Sequence, residues 1–445
     1  MKPISFTSIS KLLNQALSSK IIIIGAAIDS RQVNPGDLFF ALPGEQVDGH
    51  DFLQQAAANG AVAAVVKADY QGETFGLELL RVVDVRGALQ QLARLMLEQR
   101  SSKVVAITGS IGKTTTKEFL ATLLGGSFRV FASPRSYNTQ LTVPLSILMA
   151  DGDEDILILE MGMTHVGQIE KLVSIAPPDI ALLTKVAIQH TCNFLDGISG
   201  IAREKGMIFS NPKTFLGIVD HEVHHLDEIV KVGNCSKRSF SMVSKEADDY
   251  LELIPGGVRV FVKGEDPMDI LLNLPMKELY HNFLAAVVVA RSLELPWSVI
   301  QERAKLLKLP PMRFEQIEKQ GILFINDAYN ANPDAMKAAI ENLPKPQSGK
   351  KRIGVLGEMD ALGMYSEGGH TLVAEVALEY LDQLICLGSR CEVMQRIWHR
   401  EKKPVVLCQS REEVEEQLQK CVEPGDVVLL KGCRACGLDR VIDKF

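Results

Sequence analysis

The stretch Thr108-Gly109-Ser110-Ile111-Gly112-Lys113-Thr114-Thr115 decides the fold, because of what flanks it. Val104-Val105-Ala106-Ile107 precedes it, a largely β-branched run suited to a buried strand. Thr116-Lys117-Glu118-Phe119-Leu120 follows, compatible with a helix. Strand, glycine-bracketed loop and helix, in that order, read as a phosphate-binding loop. Gly109 and Gly112 would let backbone N–H groups turn onto phosphate oxygens, and the helix start adds partial positive charge. Lys113 would reach the outer phosphates, and the Thr114 hydroxyl would bind the accompanying Mg²⁺. The loop departs from G-x-x-x-x-G-K-[ST] at its first position, where Ile107 replaces glycine. Its strand–loop–helix setting still outweighs a surface turn, so the chain is expected to use a nucleoside triphosphate.

Outward from the loop, strands and helices alternate. Ile156–Glu160, Ile180–Leu183 and Leu216–Val219 read as further buried parallel strands. Upstream, Ile21–Ile24, Asp37–Leu42, Ala61–Val66 and Leu79–Val83 are short strand-like runs, with helical patterns at Phe52–Asn59 and Ala88–Arg100. Ser101-Ser102 reads as a linker, and Pro310-Pro311 interrupts the chain again. Beyond it come strands at Ile322–Asn326, Arg352–Leu356, Gln383–Leu387, Val405–Leu407 and Val427–Leu430. Such alternation implies α/β domains whose parallel sheets are covered on both faces.

The 445 residues exceed what one core holds, which fits three domains. A net charge of −7 offers no general basic surface for nucleic acid or anionic membrane. The N-terminal residues lack a signal pattern, and the longest apolar runs fall far short of the ~20 residues that span a bilayer. A cytoplasmic protein is expected, with its eight cysteines as reduced thiols.

Ligands in open α/β sheets gather at the carboxyl ends of strands. Glu160 closes an apolar strand there and could be a second Mg²⁺ ligand or an exposed acid. His190, a short loop past Ile180–Leu183, reads alone as structural more readily than as a ligand. Lys205, within a helical Ile201–Gly206, reads alone as a surface lysine.

Taken together these residues resemble the Mur ligase family of bacterial cell-wall synthesis. Its central domain carries T-G-[ST]-x-G-K-T, a strand-end glutamate, a histidine and a helical lysine, here Thr108–Thr114, Glu160, His190 and Lys205. The resemblance implies that Thr114, Glu160, His190 and Lys205 hold two Mg²⁺ ions, with Lys205 a candidate for carbamylation. It implies ATP contacts from Thr108, Gly109, Ser110, Ile111, Gly112, Lys113, Thr114, Thr115, Asn282, Arg313 and Asp327. Lys113, Glu160, His190, Lys205 and Arg313 would carry catalysis.

Asp29-Ser30-Arg31 and Asp48-Gly49-His50-Asp51-Phe52 are similar to the family's UDP-binding domain, with Ser30, Arg31, Asp48, Gly49 and His50 as candidate contacts. Asn326-Asp327-Ala328-Tyr329-Asn330-Ala331-Asn332-Pro333 resembles the members that join D-alanyl-D-alanine to UDP-N-acetylmuramoyl-tripeptide. Lys431-Gly432 matches a late family position. The implied fold is a small N-terminal α/β UDP-binding domain (1–101), a central P-loop ATPase domain with a mainly parallel sheet (102–310) and a C-terminal Rossmann-like domain (311–445). A monomer is expected. Met207 stands where these members have glutamate, Met276-Lys277-Glu278 replaces a Gly-x-His, and Cys433 replaces a serine.

Two motifs read differently. His221-Glu222-Val223-His224-His225 satisfies H-E-x-x-H, but lacks an evident third zinc ligand and reads as a solvated helix. Cys433-Arg434-Ala435-Cys436 has redox spacing, yet reads as a coincidental pair of thiols. The rival functions are another amide ligase of the same fold, adding a single amino acid or a folate glutamate, and a catalytically silent nucleotide-binding regulator.

Overall fold

The computed structural model describes residues 1–44 and 47–445. Larger sheets form from three successive stretches of chain. The first has four parallel strands in the order Gly25–Ala27, Asp37–Phe40, Ala63–Lys67 and Glu78–Val82. Ile22–Ile23 does not join it; that pair runs antiparallel to Ile4–Ser5. Val85–Glu98 is helical, starting earlier than its apolar pattern indicated. Leu89, Leu92 and Ala93 of this helix link Leu38 and Val65 of the first sheet to Val143 and Ile147 beside the second.

The second sheet has nine strands. Ser236–Ser241, Leu216–Asp220, Ile180–Leu183, Lys103–Thr108, Ile156–Glu160 and Val130–Ala132 lie side by side and parallel. Every residue of Ile156–Glu160 and Ile180–Leu183 is buried, which is why these strands read as unbroken apolar runs. At the far edge the sheet continues with Asp249–Ile254, Gly257–Phe261 and Met268–Leu271, whose two successive pairings are antiparallel. The helix Lys277–Ser292 packs on the phosphate-loop helix Lys113–Leu124, and all of Leu284–Ala290 is buried. That position explains its apolar character on every side.

The third sheet orders six strands as Glu315–Lys319, Ile322–Asn326, Val427–Lys431, Arg352–Gly357, Gln383–Leu387 and Val405–Cys408. All are parallel except the edge strand Glu315–Lys319. Among the described residues, no helix is long and apolar enough to cross a membrane.

The segment His221–His225 is not a helix. The strand before it ends at Asp220, whose carboxylate accepts from the Glu222 N–H at 3.1 Å and turns the chain. Without helical spacing the two outer histidines of H-E-x-x-H share no face.

Candidate active site

The phosphate loop is shaped by contacts that forbid larger residues at its glycines. Gly112 has φ 89°, and a Cβ there would stand 2.3 Å from the Asn282 Oδ1. A Cβ at Gly109 would stand 1.9 Å from the Thr184 Oγ1. The loop is thus pressed against the helix Lys277–Ser292 on one side and the strand end at Thr184 on the other. Thr184 donates to the Ile111 carbonyl at 2.7 Å, Ser110 to the Ala187 carbonyl at 3.1 Å, and Thr108 to the Met161 carbonyl at 2.8 Å. Lys113 Nζ donates to the Gly109 carbonyl at 2.8 Å. Burial pushes its pKa down, and the Glu160 carboxylate opposes that shift.

Glu160 is 1% exposed, which excludes the surface-acid reading. Its Oε2 accepts from the Thr114 hydroxyl at 2.7 Å, and its Oε1 from the Asn138 amide at 2.7 Å. Thr114 also meets Ser136 Oγ at 3.1 Å. A buried carboxylate beside a hydroxyl is a donor set suited to a hard divalent cation. The supporting segment hangs on Lys117, a fully buried lysine that donates to the Ser133 carbonyl at 2.5 Å and to the Arg135 carbonyl. Lys117→Met should leave the buried Ser133 carbonyl without this donor, costing ~1–3 kcal/mol. It should also raise the Mg²⁺ concentration needed for nucleotide binding. Thermal unfolding and a Mg²⁺ titration check the two effects separately.

His190 and Lys205 reach the same cavity from the neighbouring strand end and helix. Lys205 is 3% exposed and donates to the Gly109 carbonyl at 3.0 Å, so it is no surface lysine. Burial, then the Lys113 ammonium, drive its pKa well below the usual lysine range. Burial and then the cations Lys205 and Lys113 hold the His190 imidazole down to about 4. An unfolded histidine takes up its proton near pH 6.5. His190 therefore favours folding fully above pH 6.5, and that contribution falls away as the pH drops toward 4. An NMR titration should find this ring neutral from pH 7 to 5, and His190→Gln should flatten that part of the stability profile.

Across the cavity, the third sheet supplies a second set of charges. Arg313 Nη2 lies 3.5 Å from the Thr114 hydroxyl, and its guanidinium stacks 3.9 Å from the Tyr329 ring centroid. Met312 and Phe314, on either side of it, have φ 58° and 55°, a region that non-glycine residues seldom occupy. Asp327 accepts from the Phe314 N–H at 3.1 Å and from Lys431 Nζ at 2.5 Å, so both its oxygens are engaged. Together these groups line one cavity of about 810 Å³. Of the residues expected to serve nucleotide and metal, only Thr108 and Gly109 are not on its wall. Thr108 lies beneath the loop, tied to Met161.

Three family models match this chain in order: the Mur ligase family, catalytic domain at 23–96, the Mur ligase middle domain at 107–290 and the Mur ligase, glutamate ligase domain at 312–434. A curated relative, the UDP-N-acetylmuramoyl-tripeptide--D-alanyl-D-alanine ligase of Treponema pallidum (strain Nichols), is 30% identical over 94% of this chain and 92% of its own length. The chain belongs to the Mur ligase family. The crystal structure of MurF from Acinetobacter baumannii superposes with a TM-score of 0.85 at 26% identity, covering 100% of this chain and 98% of that one. The MurF ligase from Thermotoga maritima in complex with ADP gives 0.80 at 30% identity, covering 96% and 98%. This Mur ligase is an ATP-dependent ligase with the three-domain α/β fold of those structures.

The N-terminal candidates of this Mur ligase do not line that cavity. Arg31 forms a two-pronged pair with Asp29, at 2.9 and 2.7 Å, and Ser30 donates to Gln55 at 2.6 Å. Asp48 Oδ1 caps the turn at Gly49–Phe52 through the His50 N–H, and lies 2.6 Å from the His50 ring Nδ1. His50 Nε2 accepts from the Lys67 N–H at 3.0 Å. With both ring nitrogens engaged, His50 shapes its loop. Gly49 crosses close over Leu42, where a Cβ would stand 2.6 Å from backbone atoms.

Residues that sequence reading missed also belong to the cavity. Arg86 reaches it from the first helix after the N-terminal sheet, and Asn138, Asp220, Glu222 and His281 complete parts of its wall. Asp220 lies 3.4 Å from His281 Nε2. Burial opposes ionisation of Asp220, but the hydrogen bond to His281 holds it below the usual carboxylate range. Glu222 of the H-E-x-x-H segment groups with these two, whereas His225 bonds Ser199 at 2.6 Å. Of these, only Glu222 stood in a segment the sequence marked, the H-E-x-x-H run; Lys117, beneath the site rather than on its wall, stands one helical turn beyond Lys113.

Proposed function

We propose that this chain joins D-alanyl-D-alanine to UDP-N-acetylmuramoyl-tripeptide with ATP, giving UDP-N-acetylmuramoyl-pentapeptide, ADP and phosphate in the bacterial cytoplasm. The observation that carries the reading is the single cavity in which the phosphate loop, Glu160, His190 and Lys205 face Arg313 and Tyr329 across two sheets. Relatives bearing that ligase's name, matched over nearly their whole length, supply the substrates. In this reading residues 1–101 hold the UDP end through Ser30, Arg31 and the Asp48–His50 turn. Residues 102–310 bind ATP, and 311–445 receive the dipeptide. One chain carries every residue invoked, in keeping with a monomer.

The tripeptide's terminal carboxylate attacks the γ-phosphorus in line with departing ADP, giving an acyl phosphate. Lys113 and Arg313, approaching from opposite walls, stabilise charge spreading over the transferring oxygens. Asn282, pressed on Gly112, orients the adenosine end. The dipeptide amine then attacks the acyl carbon, losing a proton as the tetrahedral intermediate collapses and phosphate leaves. Closure of the two walls keeps water from the acyl phosphate. Thr114 with Glu160, and His190 with Lys205, would hold Mg²⁺, which supplies charge neutralisation between carboxylate and triphosphate. His190 is suited to that role because burial, the largest cause of its lowered pKa, favours the neutral imidazole. The depressed pKa of Lys205 supports carbamylation, since only an uncharged amine adds CO₂, and the anionic product would attract the Lys113 ammonium.

Phosphate release from ATP tests the proposal, with UDP-N-acetylmuramoyl-tripeptide and either D-alanyl-D-alanine, single amino acids or no acceptor. Release that requires the dipeptide, with a pentapeptide product by mass, is expected. Release with a single amino acid instead would move the chain to another ligase of the family, and ATP binding without any release would sink the enzyme reading.

A further inference from the structure

The loop after the last strand of the third sheet brings two thiols together. Cys433 Sγ and Cys436 Sγ lie 3.3 Å apart, in a one-turn 3-10 segment at Arg434–Cys436. The spacing alone read as coincidence; the fold sets the two sulfurs in contact. The pair is held by backbone: the Cys433 N–H donates to the Glu358 carbonyl at 2.9 Å. Cys436 sits in a notch between two glycines, where a Cβ at Gly357 would stand 2.7 Å from its Sγ and one at Gly432 3.3 Å. Both cysteines line a cleft of about 560 Å³, separate from the nucleotide cavity and bordered by Glu358, Asp360, Arg411 and Arg434. Cys433 is buried and Cys436 half-buried, so an incoming reagent meets Cys436 first. The hydrogen bond from Cys433 lowers the Cys436 pKa, and Cys433 moves the opposite way. That division of roles suits attack by one thiol and resolution by the other.

The same loop is wired to the nucleotide cavity. Lys431, at its start, holds Asp327 at 2.5 Å, and Asp327 in turn holds the Phe314 N–H at 3.1 Å. Arg434, between the two cysteines, lies 3.2 Å from Met312 Sδ. Met312 and Phe314 flank Arg313, which reaches Thr114.

We infer that Cys433 and Cys436 form a modification site that takes a low-molecular-weight disulfide as oxidant and closes to a reversible intrachain disulfide, slowing the ligase through Arg434 and Lys431. The Cys436 thiolate attacks one sulfur of the small disulfide, forming a mixed disulfide and expelling one small thiolate. Cys433 gives up its proton and attacks the Cys436 sulfur, expelling the second. The protein loses two hydrogens, and the small disulfide is reduced to two thiols. The sulfurs must close from 3.3 Å to the ~2.05 Å of a bond, which draws the loop inward.

The test equilibrates the full chain in glutathione buffers of rising oxidised fraction, then alkylates and reads peptide masses. The expected result is a bond between Cys433 and Cys436 that forms ahead of any other cysteine pair and is reversed by dithiothreitol. ATP-dependent phosphate release should fall about fivefold or more in the oxidised form and return on reduction. Cys433→Ser should keep the reduced protein's turnover and trap glutathione on Cys436 instead. Should that variant unfold, Cys436→Ser, which removes the attacking thiol, should block the reaction altogether. Full alkylation of both thiols at every ratio would overturn the site, and a disulfide that leaves turnover unchanged would overturn its coupling to the ligase. The mass readout is independent of the substrate assignment above, so the two can fail separately.

Discussion

Lys113→Ala is expected to lower turnover by about 10²–10³-fold, the scale found when one preorganised donor to a developing oxyanion is removed. The reason lies in where this ammonium sits. It is half-buried, it belongs to the first turn of the phosphate-loop helix, and it rests on the Gly109 carbonyl within the loop itself. Substrate phosphates that displace that carbonyl inherit a cation already held in position, so little reorganisation is needed during reaction. Nucleotide affinity should fall less than turnover, because the loop's backbone donors remain. Phosphate-release kinetics beside calorimetric titration of ADP would separate the two. A variant that binds ADP normally and turns over within a few-fold of the parent would remove Lys113 from the chemistry.

Arg313→Ala should cost on the order of 10³-fold in kcat, the low end for an arginine that reaches a transferring phosphoryl group. Arg313 comes from outside the nucleotide-binding sheet and is aimed by two features: stacking on Tyr329 at 3.9 Å and approach to Thr114 at 3.5 Å. Arg313→Lys should recover little, since an ammonium on a flexible stem neither stacks as a plane nor presents a fork of donors. The UDP-substrate KM should stay near its parent value, because the N-terminal candidates lie off this cavity. Equal loss in kcat and in ADP affinity would instead make Arg313 a general anchor for the nucleotide.

The parts of this molecule that were legible in its sequence are those in which local chemistry and final position agree. Strands such as Ile156–Glu160 are buried on both faces, so their apolar runs announce them. The glycine-bracketed loop needs its glycines for contacts with Asn282 and Thr184 that could not be known, yet the residues themselves are conspicuous. The antiparallel edge Asp249–Leu271 was hidden because its half-buried strands mix polar and apolar residues, though Pro255-Gly256 between two of them was a turn signal. His221–His225 misled because a five-residue motif carries no record of the Asp220 turn that precedes it. Lys431 with Asp327, and Lys117 with Ser133, are pairings of distant segments, and periodicity is silent about such partners.

The two left-handed residues around Arg313 give the joined walls a thermodynamic character. Backbone held in such sparsely populated regions costs about 1–3 kcal/mol per residue. The Met312 N–H donates to Glu315 at 3.0 Å and the Phe314 N–H to Asp327 at 3.1 Å, so the segment that carries Arg313 holds both residues in this shape by its own contacts. Because that cost is met in folding, ligand binding need not supply the order of this turn, and nucleotide affinity is spared the loss that aiming a loose arginine would bring.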